Sequence, residues 1–204
     1  MKVVEIFKSI QGEGYNFGKE VVFLRLGKCN LKCPWCDTNW NQYKEIELKN
    51  IILEIKKQNC KNVIITGGEP TLQDLIPLCK ELKKEGYWIA LETNGTNFIG
   101  YEFIDYIATS PKFIYRDVIK LNLKKADEVR IVVDSQNVDE YVNFCREIEK
   151  NIKAKHYFLS PVEEAETNSF LNLDSLAKVR EKLKKGGGKE WQISIQLHKL
   201  MKVR

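Results

Sequence analysis

Three cysteines, Cys29, Cys33 and Cys36, carry the most specific chemistry in this sequence. They stand in Cys-Asn-Leu-Lys-Cys-Pro-Trp-Cys, with three residues in the first gap and two in the second. Three thiolates on one short loop can each reach a different iron of a single cubane. The fourth iron then has no protein ligand, whereas Fe–S clusters are usually held by four cysteines. An open iron can take an amino nitrogen and a carboxylate oxygen from a small molecule and pass it one electron. A structural zinc site would instead need a fourth Cys or His, normally in a second paired knuckle. The two histidines, His156 and His198, are remote from the triad and from each other.

Other residues offer polar chemistry with a structural alternative beside each. Ile10-Gln11-Gly12-Glu13-Gly14 sets an amide and a carboxylate among glycines, which suits either a turn or an approach to a heterocycle. Arg25 can present a planar fork to a carboxylate, or close a strand-end salt bridge. Glu92 and His198 suit proton transfer or substrate anchoring; a buried salt bridge and a packed histidine are the alternatives. Cys79 and Cys145 fall on apolar faces of predicted helices and read as small buried hydrophobes. Cys60, at a helix end, reads as incidental.

The elements that must position these residues alternate. Predicted strands are Val21–Leu26, Val63–Thr66, Trp88–Glu92, Tyr106–Thr109, Glu128–Val133, His156–Leu159 and Gln192–Gln196. Predicted helices are Leu48–Lys57, Leu75–Lys84, Val138–Ile152 and Leu173–Leu183, from apolar residues at helical spacing. Such alternation indicates βαβ units and a parallel sheet. A full eightfold barrel needs ~250 residues, so the 204 residues here predict an α/β, parallel-stranded partial (β/α) barrel of about six units in a single domain. Polar and glycine-rich clusters follow the predicted strands, including Thr66-Gly67-Gly68-Glu69, Glu92-Thr93-Asn94, Ser110-Pro111-Lys112 and Ser160-Pro161. That end of a parallel sheet is where ligands bind.

Composition narrows the class further. A 43% hydrophobic and 30% charged chain is that of a globular protein, and no run is long and apolar enough for a membrane span. Met1–Ile10 lacks a signal-peptide layout, so a cytoplasmic location is expected, where structural disulfides are rare. The net charge of +5 comes from lysines scattered beside glutamates. That pattern reads as solvated surface, and nucleic acid is not expected as a partner.

Cys-x3-Cys-x2-Cys after one strand, with Gly67-Gly68-Glu69-Pro70 after the next, resembles the radical S-adenosylmethionine superfamily. Ile6–Gly14, Phe23–Asn30, Cys36-Asp37-Thr38, Leu91–Gly95, Ser110-Pro111-Lys112 and Ser194–Lys199 extend the likeness to the 7-carboxy-7-deazaguanine synthases, over essentially the whole chain. The resemblance implies a [4Fe–4S] cluster on Cys29, Cys33 and Cys36, S-adenosylmethionine on the open iron, and Mg²⁺ on Thr38. It implies cofactor contacts from Trp35, Cys36, Asp37, Gly68, Ser110, Pro111, Lys112 and Ser160-Pro161-Val162-Glu163. It implies substrate contacts from Ile10, Gln11, Gly12, Arg25, Thr66 and the α-carboxylate of Arg204, in short N- and C-terminal extensions. The implied reaction turns 6-carboxy-5,6,7,8-tetrahydropterin into 7-carboxy-7-deazaguanine with loss of ammonia. Hydrogen is taken from C6 of the pterin, and the cofactor is regenerated. An electron donor such as flavodoxin or ferredoxin and a homodimer are implied as well. A glycyl-radical enzyme activase and a non-catalytic Fe–S or zinc module are the competing readings.

Overall fold

The computed structural model describes residues 1–98, 100, 102–134, 137–164, 169–196 and 201. These fall into two units: Met1–Gln11, Gly18–Thr93 and Asn97–Ile107 in the first, and Gly12–Phe17, Asn94–Thr96 and Ala108–Arg204 in the second.

The first unit begins with a strand absent from the sequence expectation. Lys2–Ile10 (β1) runs antiparallel to Glu20–Leu26 (β2), and Lys44–Glu45 (β3) pairs with its outer edge. A register shift between Val3 and Glu5 adds a residue to β1, which breaks the alternation a strand would otherwise display. β2 continues in parallel to Asn62–Gly67 (β4), and β4 to Trp88–Thr93 (β5). Leu48–Lys57 (α1) and Ile76–Lys84 (α2) are the intervening helices. α1 buries Ile51 and Ile55, one turn apart, and α2 buries Leu78, Cys79 and Leu82. On the sheet, Val22, Leu24, Leu26, Val63, Ile65, Ile89 and Leu91 are fully buried.

Alternation sends the remaining residues of these strands to the opposite face. There Val21, Ile64 and Ala90 form an apolar floor, with Phe23, Trp88 and Tyr106 packed against it. Phe7 stacks on Phe23 at 5.2 Å between ring centroids. At the C-terminal end of that face the floor gives way to Arg25, Thr66 and Glu92.

Tyr106–Thr109 (β6) passes from the first unit into the second. In the second unit Glu128–Val133 (β7) lies parallel to β6, His156–Glu164 (β8) to β7, and Trp191–Ile193 (β10) to β8. Ser169–Leu171 (β9) pairs antiparallel with the end of β8. Val138–Asn151 (α3) and Leu173–Lys185 (α4) complete the unit, with Tyr141, Phe144, Cys145 and Ile148 forming the buried stripe of α3. The parallel-stranded α/β class is the one expected; the antiparallel β1, β3 and β9 are additions. β8 also runs past Leu159 through Glu164, so Ser160-Pro161 lies within a strand rather than after one.

Candidate active site

The cysteine loop leaves the end of β2 through a fixed exit. Gly27 donates to Lys2 O at 2.9 Å, and Lys28, in the left-handed region at φ 71°, donates to Trp40 O at 2.9 Å. The end of β4 is clamped against this exit. Gly68 N donates to Leu26 O at 3.0 Å and Glu69 N to Lys28 O at 2.8 Å. A Cβ on Gly68 would lie 2.1 Å from Lys28 O, and one on Gly67 2.1 Å from Leu26 O. The glycine pair therefore permits close approach to the start of the cysteine loop itself. Glu69, fully buried, caps the turn that follows: its Oε1 accepts from Thr71 N at 3.1 Å, Thr71 Oγ1 at 2.5 Å and Thr93 Oγ1 at 2.8 Å.

Within the loop Cys36 N donates to Cys33 O at 3.2 Å, closing a turn at Pro34-Trp35, and Cys29 Sγ accepts from Leu31 N at 3.4 Å. Cys29 and Cys33 are partly buried and Cys36 is exposed; none is in a disulfide. Among the described residues no three Cys, His, Asp or Glu side chains gather around one ion position. A cubane spreads its thiolates over separate irons, so a loop of three accessible thiols fits it. The other thiols differ. Burial pushes Cys79 up to about 12 and Cys145 higher still, so both stay protonated. Cys60 is buried against Glu20 O and Asn62 O.

On the open face of the first unit, Arg25 and Thr66 are register partners across β2 and β4. Arg25 Nε meets Glu5 Oε1 at 2.8 Å, and its Nη1 donates to Thr38 Oγ1 at 3.1 Å. The strand-end salt bridge is therefore real, and it coexists with a bond into the cysteine loop. Thr38 Oγ1 donates in turn to Asp37 Oδ1 at 3.4 Å. Glu92 accepts from Gln11 Nε2 at 2.9 Å on one oxygen and from Thr66 Oγ1 at 2.8 Å on the other. Positions 11, 66 and 92, far apart in the chain, thus form one network. Ile10 closes β1 just before it.

In the second unit Glu13 behaves differently from its neighbour Gln11. Its carboxylate receives Arg130 Nη1 at 2.6 Å and Gln196 Nε2 at 2.6 Å, while Arg130 Nε pairs with buried Glu128 at 2.6 Å. Glu128 also accepts from Tyr15 N at 2.9 Å, and Gly14 N donates to Ser194 Oγ at 2.8 Å. A Cβ on Gly14 would lie 2.0 Å from Glu128 Oε1. Arg130 and Glu128 were not singled out from the sequence, although two charges alternating with Val129, Ile131 and Val133 signal a polar face on a buried strand.

Elsewhere in this unit Lys112 Nζ donates to Ser110 Oγ at 2.7 Å, and Pro111 is buried. Gly12 is buried. Ser160 is 5% exposed, and its hydroxyl has no protein partner among the described residues. Pro161 and Val162 are buried beside it, and Glu163 lies in β8. Trp35 is half-buried. His198 and Arg204 lie outside the described residues.

A loop of three thiols clamped to a glycine turn, on parallel strands, defines the class. The Radical SAM superfamily model matches residues 25–169, and the fold and cysteine loop are those of that superfamily. The 7-carboxy-7-deazaguanine synthase of Haemophilus influenzae is 45% identical over 202 residues, covering 98% of this chain and 92% of that protein. That of Neisseria meningitidis is 43% identical, covering 97% and 92%. The crystal structure of QueE from Escherichia coli superposes with a TM-score of 0.72 at 25% identity, covering 96% and 93%. The chain belongs to the 7-carboxy-7-deazaguanine synthase family of radical SAM enzymes, whose cofactors are a [4Fe–4S] cluster and S-adenosylmethionine.

Proposed function

We propose that this chain converts 6-carboxy-5,6,7,8-tetrahydropterin into 7-carboxy-7-deazaguanine, releasing ammonia, in deazapurine biosynthesis of the queuosine or archaeosine type. The observation that carries this reading is the juxtaposition, on one sheet face, of Arg25, Thr66 and Glu92 beside the cysteine loop. Cys29, Cys33 and Cys36 would hold the cluster, which with S-adenosylmethionine supplies a 5′-deoxyadenosyl radical when bound. Trp35, the backbone of Cys36 and Asp37, and Gly68 would bound the cofactor on the cysteine side. Ser110-Pro111-Lys112 and Ser160–Glu163 would bound its ribose and carboxylate. The buried Ser160 hydroxyl, with no hydrogen-bond partner among the described residues, supports that assignment, because such a group lacks a partner only at a cost.

The substrate's donor and acceptor edge suits Gln11, Thr66 and the backbone at Ile10 and Gly12. Glu92, which accepts from the Gln11 amide and the Thr66 hydroxyl, can exchange either for a substrate N–H or take a proton there. Arg25 suits the substrate carboxylate, since a guanidinium N–H gives it a charge-assisted hydrogen bond. Thr38 Oγ1 accepts from Arg25 and donates to Asp37, which leaves one lone pair for Mg²⁺. One protein oxygen, with substrate and water completing the shell, is enough for that ion. His198 would serve proton transfer or anchoring, and the α-carboxylate of Arg204 would touch the substrate. No described helix is long and apolar enough to cross a membrane. We place the enzyme in the cytoplasm as a homodimer, drawing electrons from a flavodoxin or ferredoxin.

Anaerobic incubation of the reconstituted protein with S-adenosylmethionine, a reductant, Mg²⁺ and the tetrahydropterin tests this. Mass spectrometry should find 7-carboxy-7-deazaguanine. Accumulation of 5′-deoxyadenosine alone would leave the superfamily intact and remove the substrate.

A further inference from the structure

The row that carries Arg25 and Thr66 extends one strand further, onto β1. Glu5 and Arg25 are direct register partners, and the β-bulge of β1 lies immediately beside Glu5. Bulges next to functional sites re-aim side chains. The pair is about three-quarters buried, at 26% and 25% side-chain exposure. Glu5 holds Nε at 2.8 Å and Thr38 holds Nη1 at 3.1 Å. The ring centroid of Phe7, two residues along the same face of β1, lies 5.8 Å from the guanidinium carbon. Two anchored nitrogens of a rigid planar group fix both its plane and its rotation. Nη2 then faces a set direction, with no protein hydrogen bond among the described residues.

We propose that Glu5 is a positioning residue for the carboxylate of the substrate: it holds the Arg25 guanidinium so that Nη2 meets that carboxylate. This rests on the reading of Arg25 as the carboxylate's partner. Two effects of Glu5 oppose each other. Its charge repels an incoming carboxylate, and its hydrogen bond orders the group that receives it. An arginine freed to rotate loses rotamer order on every binding event, and Nη2 loses its fixed aim. Positioning wins here because the pair is mostly sheltered and directly in register.

The test measures substrate affinity anaerobically on the reconstituted enzyme, with KM and kcat, for Glu5→Gln, Glu5→Asp, Arg25→Lys and the Glu5→Gln/Arg25→Lys double variant. Glu5→Gln should raise substrate Kd and KM about tenfold, the scale of one charge-assisted hydrogen bond. The KM for S-adenosylmethionine and the iron content should stay unchanged. Glu5→Asp keeps the charge and shortens the reach, so it should lose affinity as Gln does. In the Arg25→Lys background Glu5→Gln should add nothing. Unchanged or tighter binding in Glu5→Gln, with Arg25→Lys weakened, would overturn the positioning role and leave Arg25 in place. Full affinity in Arg25→Lys would instead remove Arg25 from the carboxylate, and Glu5 with it. If Glu5→Gln fails to fold, Glu5→Asp decides: wild-type affinity overturns the proposal.

Discussion

Gln11 and Glu13 stand two residues apart, yet they enter networks of opposite character. Gln11 and Thr66 hold Glu92 through neutral donors. Glu13 is locked by Arg130, which also neutralises Glu128 at 2% side-chain exposure. A carboxylate held by an amide and a hydroxyl can trade either partner for a ligand at the cost of one neutral hydrogen bond, about 1 kcal/mol. A buried ion pair cannot, because removing one partner strands the other charge. The Gln11 and Thr66 contacts to Glu92 are of the exchangeable kind; the Glu13–Arg130 pair is an anchor for residues 12–17.

Substitutions at the two centres should separate along that line. Glu92→Gln should reduce kcat/KM about a hundredfold, the lower range for loss of an acid–base or orienting group, with thermal stability close to wild type. Arg130→Met should cost about 3 kcal/mol of stability by leaving Glu128 buried without its guanidinium, read from urea unfolding. Turnover per folded molecule should change far less than in Glu92→Gln. The reverse outcome, a stable but inactive Arg130→Met, would move Glu13 and Arg130 into the substrate site.

A smaller effect concerns the thiols, and it sharpens the contrast between the cysteine loop and the buried cysteines. Cys79 ionises near 9.0 when exposed, and burial raises it to about 12 in the fold. Between those values the unfolded chain releases a proton that the folded chain keeps, so stability falls as pH rises above about 9. Below that range the contribution is fully present. Cys79→Ala should lower stability at neutral pH through lost packing, yet flatten its decline between pH 9 and pH 11. An unchanged alkaline slope would show that other groups set it.

The parts of the molecule legible in its sequence are those fixed by local pattern. α1 was expected over Leu48–Lys57 and is found there, because Ile51 and Ile55 repeat at helical spacing. β6 and β7 also match, each bounded by turn residues. β1 was hidden, because its bulge interrupts the period-two pattern and most of its residues are only half-buried. Missing β1 hid the Glu5–Arg25 pair, although a salt bridge at Arg25 was one of two readings. Glu128 and Arg130 escaped for a similar reason: Arg130 bridges Glu128 to Glu13, which is 117 residues from Arg130, and only the tertiary fold joins them. The triad and the Gly67-Gly68 turn were legible, since their spacing is itself the chemistry. What the glycines approach, the Leu26–Lys28 backbone, needed the structure.

The central claim is that a radical formed beside Cys29, Cys33 and Cys36 takes hydrogen from C6 of a pterin held on the Arg25–Thr66–Glu92 face. The direct test is one anaerobic turnover with substrate deuterated at C6, followed by mass spectrometry of the recovered S-adenosylmethionine and 5′-deoxyadenosine. The account predicts deuterium in the adenosyl group of both, with 7-carboxy-7-deazaguanine as product. Product formed with no deuterium in either adenosyl compound would contradict it.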